Sequence, residues 1–310
     1  MIGLEFVREM SPQRTLEDIK KESLMRRSPI SSSRLVVLLL VLGLAACTTV
    51  GTVPQPTDET AAPAEEVKEI APGILQGYLS EQEQLDSKAF VPPAPAVDSA
   101  IQAMDTAWSE KMVALRGTAR WDLAISDANL HFPAAANVFS CTLGIAITEQ
   151  DTPALYMLLR RTLADLGLST YTAKKAYQRE RPFMINGEPV CTPDDEEALR
   201  KDGSYPSGHT AIGWGWGLIL AELSTDQAED LVARGRSFGE SRNVCNAHWY
   251  SDVVAGRMAA AAALAKLHTN EEFLAAMKAA RDEIDTARAS GSVPTADCEL
   301  EAKALAEPLH

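Results

Sequence analysis

With 310 residues and 46% hydrophobic composition, the chain is long enough for one large domain or two small ones. Its formal net charge is −14, and it has neither a basic run nor a basic patch interleaved with aromatics. Nucleic acid is therefore not an expected partner, and any anion must be bound in a pocket where a few basic side chains converge.

The chain opens with a segment that reads as an address. Met25-Arg-Arg-Ser begins a positively charged stretch, residues 35–44 (LVVLLLVLGL) are unbroken apolar, and Ala45-Ala46-Cys47 follows. A basic region, a short apolar core and small residues before a cut describe an export signal, too short for an ordinary spanning helix. The LAAC tetrapeptide resembles the lipobox of bacterial lipoproteins, whose cysteine becomes the lipidated first residue of the mature chain. A plain signal peptide or a single anchor is the simpler alternative. On the lipobox reading, residues 1–46 are the signal region with the true start at Met25, and Cys47 carries the lipid. The protein is then expected in the periplasm, touching membrane through its lipid only. Thr48 and Thr49 stand where a retention signal would have Asp, which by resemblance to Gram-negative lipoproteins favours the outer membrane. Residues 48–72, rich in Pro, Thr, Ala and Glu without apolar period, read as a disordered tether.

The folded part is expected over residues 73–290, with residues 291–310 as a C-terminal tail. Apolar residues at three-and-four spacing predict helices over 99–115, 153–166, 170–177, 210–223, 226–239, 248–267 and 270–289. Strand alternation is nearly absent, so the expected class is all-α in a single domain. Residues 187–203 form a polar, turn-rich loop of a size often tied to function. After export, Cys141, Cys191, Cys245 and Cys298 meet an oxidising compartment. They allow up to two disulfides in three connectivities, or remain free buried thiols; the sequence does not choose. They show no C-x-x-C spacing, so zinc is not expected.

Three pieces carry the chemistry. The first is Lys174-Lys-Ala-Tyr-Gln-Arg-Glu-Arg181-Pro182, where helical spacing would put Lys174 and Arg181 on one face and Pro182 would end the helix. Lys175 and Arg179 of the same run read as solvated charges. The second is GSYPSGHT (203–210), where Ser207 is a good N-cap and Gly208 gives backbone freedom, so that N–H groups at a helix start form an anion site beside His209. The third is Ser241-Arg242 followed by His248 and Asp252, four apart on one expected helical face, where the carboxylate can fix the imidazole tautomer.

Lys-x6-Arg-Pro, Pro-Ser-Gly-His and Ser-Arg-x5-His-x3-Asp together resemble the three-part signature of the type 2 phosphatidic acid phosphatase and vanadium haloperoxidase superfamily. GSYPSGHT, FSCTLGIAITEQDTP (139–153) and GESRNVCNAHWYSDV (239–253) resemble more narrowly the bacterial class A non-specific acid phosphatases. The resemblance covers most of the folded part and every signature position is filled. It implies a helical-bundle domain of that superfamily and a homodimer. The activity it implies is hydrolysis of small phosphate monoesters, with no cofactor and no metal. His248 would be the nucleophile, forming a phosphohistidine; Asp252 would orient it, and His209 would act as general acid and base. Lys174, Arg181, Arg242, Ser207 and Gly208 would hold the phosphate, which agrees with their own chemistry as forked, point-charge and backbone donors. Two other readings compete. A vanadate-dependent haloperoxidase would use the same pocket, and a non-catalytic phosphate-binding envelope lipoprotein would need the cations but not the histidine–aspartate pair.

Overall fold

The computed structural model describes residues 67–309. The export signal, the lipobox with Cys47, and most of the tether lie outside the described residues. The first regular structure is a small antiparallel ribbon, β1 (Glu69–Ala71) and β2 (Ile74–Leu75). Gly73, at φ 76°, turns the chain between the two strands in a conformation that favours glycine. The remaining regular structure among the described residues is helical, so the class is all-α as expected. The main helices are α1 (Ala100–Val113), α2 (Ala119–Asp127), α3 (Pro153–Leu168), α4 (Tyr171–Tyr177), α5 (Pro182–Asn186) and α6 (Glu196–Lys201). They continue with α7 (Gly208–Leu223), α8 (Ala228–Val244), α9 (Tyr250–Leu267), α10 (Glu271–Ala289) and α11 (Cys298–Leu305). No described helix is long and apolar enough to cross a membrane.

Helix α7 is apolar nearly all round, and a helix of that kind must be surrounded. It packs against α3, α8, α9 and α10, and its closest partner is α8. The two approach to backbone contact because glycines face each other: a Cβ on Gly217 would meet the Leu231 carbonyl at 2.9 Å, and one on Gly235 the Gly213 carbonyl at 2.9 Å. Trp216 lies fully buried, with its indole N–H donating to the Leu159 carbonyl at 3.1 Å. Thus Trp216 belongs to the core.

Helix α8 is the least apolar of the long helices, and it runs five residues past the end expected at Gly239. Its inner face carries charge that is matched rather than excluded. Arg234 is clamped by Asp127 of α2 at 2.6 Å, and Ser241 donates to the same carboxylate at 2.5 Å. Arg120 donates to Ser241 Oγ and to the Ser237 carbonyl, both at 2.9 Å. Buried polar groups partnered in this way are tolerated in a helix that periodicity alone would truncate.

Two disulfides form, one of the three possible pairings. Cys141 joins Cys298 across 157 residues, and Cys191 joins Cys245 across 54. The first ties a helical turn at Ser140–Leu143 to the start of α11, so residues read as a tail carry a helix that packs against α2.

Candidate active site

The three sequence pieces meet at a cavity of about 400 Å³ lined by Lys174, Arg181, Gly208, His209 and His248, with Asp202 at its edge. A neighbouring cavity of about 600 Å³ shares Leu130, Leu199 and His209 with it and adds Arg242, Asp194 and Asp195. His131 also lines this second cavity.

His248 does not sit on a helix with Asp252. It precedes α9, whose N-cap is Trp249, and the two residues meet because Asp252 occupies the first turn and caps it. Asp252 Oδ2 accepts the Trp249 N–H at 2.8 Å, which turns the carboxylate back toward the residues before the helix. The same oxygen stands 3.4 Å from His248 Nδ1. Ser204 Oγ bridges the pair, lying 3.4 Å from His248 Nδ1 and in short contact with Asp252 Oδ2. On the other side of the ring, Arg181 Nη1 donates to His248 Nε2 at 2.9 Å. A guanidinium only donates, so Nε2 must present its lone pair, and the ring proton belongs on Nδ1. The site therefore holds the tautomer whose free nitrogen faces the cationic cavity.

The fully buried Asp252 also accepts from Arg179 Nη1 at 2.6 Å, and Arg179 Nη2 donates to Asp105 at 2.7 Å. Arg179 is thus a largely enclosed partner of the Asp252 carboxylate, not the solvated charge the sequence suggested; Lys175 is exposed. Trp249 packs under this guanidinium, 5.4 Å away, and donates its indole N–H to the Glu180 carbonyl at 2.8 Å.

Lys174 and Arg181 come together by a break, not along one helix face. Helix α4 ends at Tyr177, Gln178 is left-handed at φ 44°, and Arg181 becomes the N-cap of α5, with Pro182 starting that helix. Lys174 Nζ donates to the Gly203 carbonyl at 2.7 Å and lies 3.4 Å from Asp202. Arg181 is held by the Leu199, Asp202 and Ala247 carbonyls at 2.9, 3.1 and 2.9 Å. Arg242 is different: it is buried, its Nη1 lies 3.9 Å from the Cys245 sulfur, and its Nε has no hydrogen-bond partner. A buried guanidinium so weakly matched creates a demand for an anion.

Within GSYPSGHT the roles divide. Ser207 caps α7, its Oγ accepting the Thr210 N–H at 3.2 Å, while its own N–H donates to the Asp252 carbonyl at 3.0 Å. The N–H expected in the phosphate cradle is therefore engaged in a structural bond, while the hydroxyl, which accepts from both the N–H and the Oγ1 of Thr210, keeps its own proton to donate. Gly208 and His209 are the first residues of α7, whose N–H groups have no acceptor within the helix. Gly208 lines the cavity. His209 Nε2 lies 3.0 Å from the Ala128 carbonyl, which can only accept, so Nδ1 is the nitrogen left for proton exchange.

Electrostatics follow from cations crowded into a largely buried site. Burial, then the charges of Arg181 and Lys174, hold His248 well below the ordinary histidine range. Burial and Arg242 do the same to His209. Burial, with Arg181 adding to it, lowers Lys174 to about 8, and Arg242 falls to about 10 for the same reasons. Among the described residues no group of three or more His, Cys, Asp or Glu is arranged to hold a metal ion.

A family model described as PAP2 superfamily matches residues 153–272, which contain all three pieces. The chain is 43% identical over 207 residues to the non-specific acid phosphatase of Providencia stuartii, covering 66% of this chain and 84% of that relative. It is 41% identical over 209 residues to the acid phosphatase of Zymomonas mobilis, covering 67% and 79%. It is 39% identical over 212 residues to the non-specific acid phosphatase of Salmonella typhimurium, covering 68% and 85%. With its three signature pieces brought together around two adjoining cavities and relatives matched over most of their length, the chain belongs to the PAP2 superfamily, in the family of these acid phosphatases.

Proposed function

We propose that this protein is a metal-independent acid phosphatase that hydrolyses phosphate monoesters of broad specificity through a phosphohistidine on His248. The observation that carries the reading is the fixed tautomer of His248, whose Nε2 lone pair faces the cavity lined by Lys174 and Arg181. A phosphate dianion entering there competes for the Arg181 guanidinium, because its oxygens are stronger acceptors than an imidazole nitrogen. That frees the lone pair as the reacting phosphorus arrives. Nε2 bonds to phosphorus and the bond to the alcohol oxygen breaks, while His209 gives that oxygen a proton. Water then attacks the phosphohistidine, His209 takes its proton, and the phosphorus–nitrogen bond breaks to release phosphate and restore the lone pair.

Lys174, Arg181, Arg242 and the start of α7 supply the positive charge that phosphoryl transfer needs, which leaves no step that requires a metal. The low proton affinity of both histidines in the free enzyme favours a neutral nucleophile at mildly acidic pH, and the bound dianion raises His209 so that it can act as an acid. The test is hydrolysis of p-nitrophenyl phosphate between pH 4 and 8 in EDTA, beside His248→Ala. Activity that persists in EDTA and vanishes in the variant is expected; a folded protein without activity would sink the reading. We propose further that the chain is a periplasmic lipoprotein anchored through Cys47, which mass spectrometry of the mature N-terminus tests directly.

A further inference from the structure

The ribbon at residues 69–75 lies across the boundary between the expected tether and domain, and no step of the chemistry above uses it. Its side chains nevertheless reach the catalytic cavity: Ile70 and Ile74 line it, together with Leu130, Leu168 and Tyr171. This apolar wall shares the cavity with Lys174, Arg181 and both histidines, so an alcohol attached to phosphorus there meets it. Ile70 and Tyr171 are 45% and 40% exposed, apolar surface left uncovered where most large side chains of the domain are buried.

The stem of the ribbon is fixed with unusual care. Arg161 of α3 donates to the Gln76 carbonyl at 3.2 Å and the Gly77 carbonyl at 2.9 Å. Asp165, one turn on, accepts the Tyr78 and Leu79 N–H groups at 2.9 and 3.0 Å. Gly77 is required by the closeness of this approach, since a Cβ would fall 2.1 Å from Asp165 Oδ1. Asn270 of α10 takes the Tyr78 carbonyl at 3.0 Å. A wall meant only as a passing tether needs none of this, whereas a binding surface gains from being held in place before the ligand arrives.

We propose that the ribbon is a specificity element: with Leu130, Leu168 and Tyr171 it receives the alcohol part of the substrate and, within the broad range accepted, favours phosphate monoesters of aromatic alcohols. The proposal rests on the phosphatase reading for its substrate, but the wall itself can be tested by binding alone. The second cavity also carries apolar side chains, Ile125 and Leu199 among them, but places the carboxylates Asp194 and Asp195 beside them, which an apolar alcohol group does not favour.

The experiment uses the full chain in detergent. Calorimetric titration with phenylphosphonate and methylphosphonate should show the phenyl compound binding more tightly, and Ile70→Ser should remove about tenfold of that preference. In turnover, the ratio of kcat/KM for phenyl phosphate to that for glycerol 2-phosphate should fall by about the same factor in Ile70→Ser. Val97→Ser, which alters a residue 90% exposed outside the cavity, should leave the ratio as it was. Equal affinity for the two phosphonates, or an equal loss on both substrates in Ile70→Ser, would overturn the proposal. Binding of neither phosphonate would remove the anion site and the wall with it. Selective binding without turnover would uphold the wall while the phosphatase reading failed.

Discussion

Arg181 donates to the nitrogen that the proposed chemistry uses, so in that mechanism one side chain would store the nucleophile in its reactive tautomer and later hold the phosphate. Lys174 adds a charge that depends on pH. Its amine loses a proton as pH rises through about 8, so kcat/KM, which reports the free enzyme, should fall above that value. Lys174→Gln should lower kcat/KM by about a hundredfold and abolish this alkaline limb, read from a pH–rate profile. Ser204 acts through His248: Ser204→Ala leaves Nδ1 with only the long contact to Asp252, and should cut kcat by about tenfold while phosphate inhibition holds. The sequence made the histidines, Asp252, Lys174, Arg181 and Arg242 legible because their types and spacings fit phosphate chemistry. Ser204 and Arg179 were not legible. One is a hydroxyl in a turn full of small residues; the other sits in a charged run, and its partner Asp105 lies 74 positions away.

Helix boundaries decide how these residues meet. The left-handed Gln178 and the N-cap at Arg181 make a corner where periodicity suggested one helix, and the cap at Trp249 places His248 just before α9. Spacings of seven and four were informative about function although the helices they implied are not there. Turns and caps bring such residues together as well as helix faces do, and sequence periodicity does not distinguish the two. Where an apolar stripe or run continued unbroken, as in α3, α7 and α10, the elements were legible to within a few residues. Helix α7 carries His209 and α8 carries Arg242, so the glycine contact between the helices bears on the distance between these two side chains. Gly235→Ala would place a Cβ 2.9 Å from the Gly213 carbonyl. The helices must part, at a cost of about 1–3 kcal/mol and a Tm lower by about 2–4 °C for each kcal/mol. A thermal melt with activity measured in parallel checks both the loss of stability and a reduced kcat.

The whole chain is acidic, with a net charge of −14, yet Lys174, Arg181 and Arg242 converge, buried, on two adjoining cavities. That contrast was visible in composition only as a condition: an acidic protein needs a pocket to bind an anion. The pairing of the cysteines was invisible, since it depends on which distant segments the fold brings side by side. Cys245 stands between Arg242 and His248 and joins Cys191 in the polar loop, across 54 residues. Closing a loop of that length stabilises by about 4 kcal/mol in the chain-entropy account. Cys191→Ser with Cys245→Ser should therefore lose about 2–4 kcal/mol in denaturant unfolding. It should also raise the inhibition constant for phosphate, because the chain carrying Arg242 is no longer tied to the cavity wall.

The most direct measurement is capture of the intermediate. Turnover of p-nitrophenyl phosphate is quenched in alkali, where phosphohistidine survives, and the digest is read by mass spectrometry. The account predicts a phosphoryl group on His248 in the wild type, more of it in His209→Ala, where water lacks its base, and none in His248→Ala. Sustained turnover in His248→Ala, or a phosphoryl group on any other residue, would contradict it.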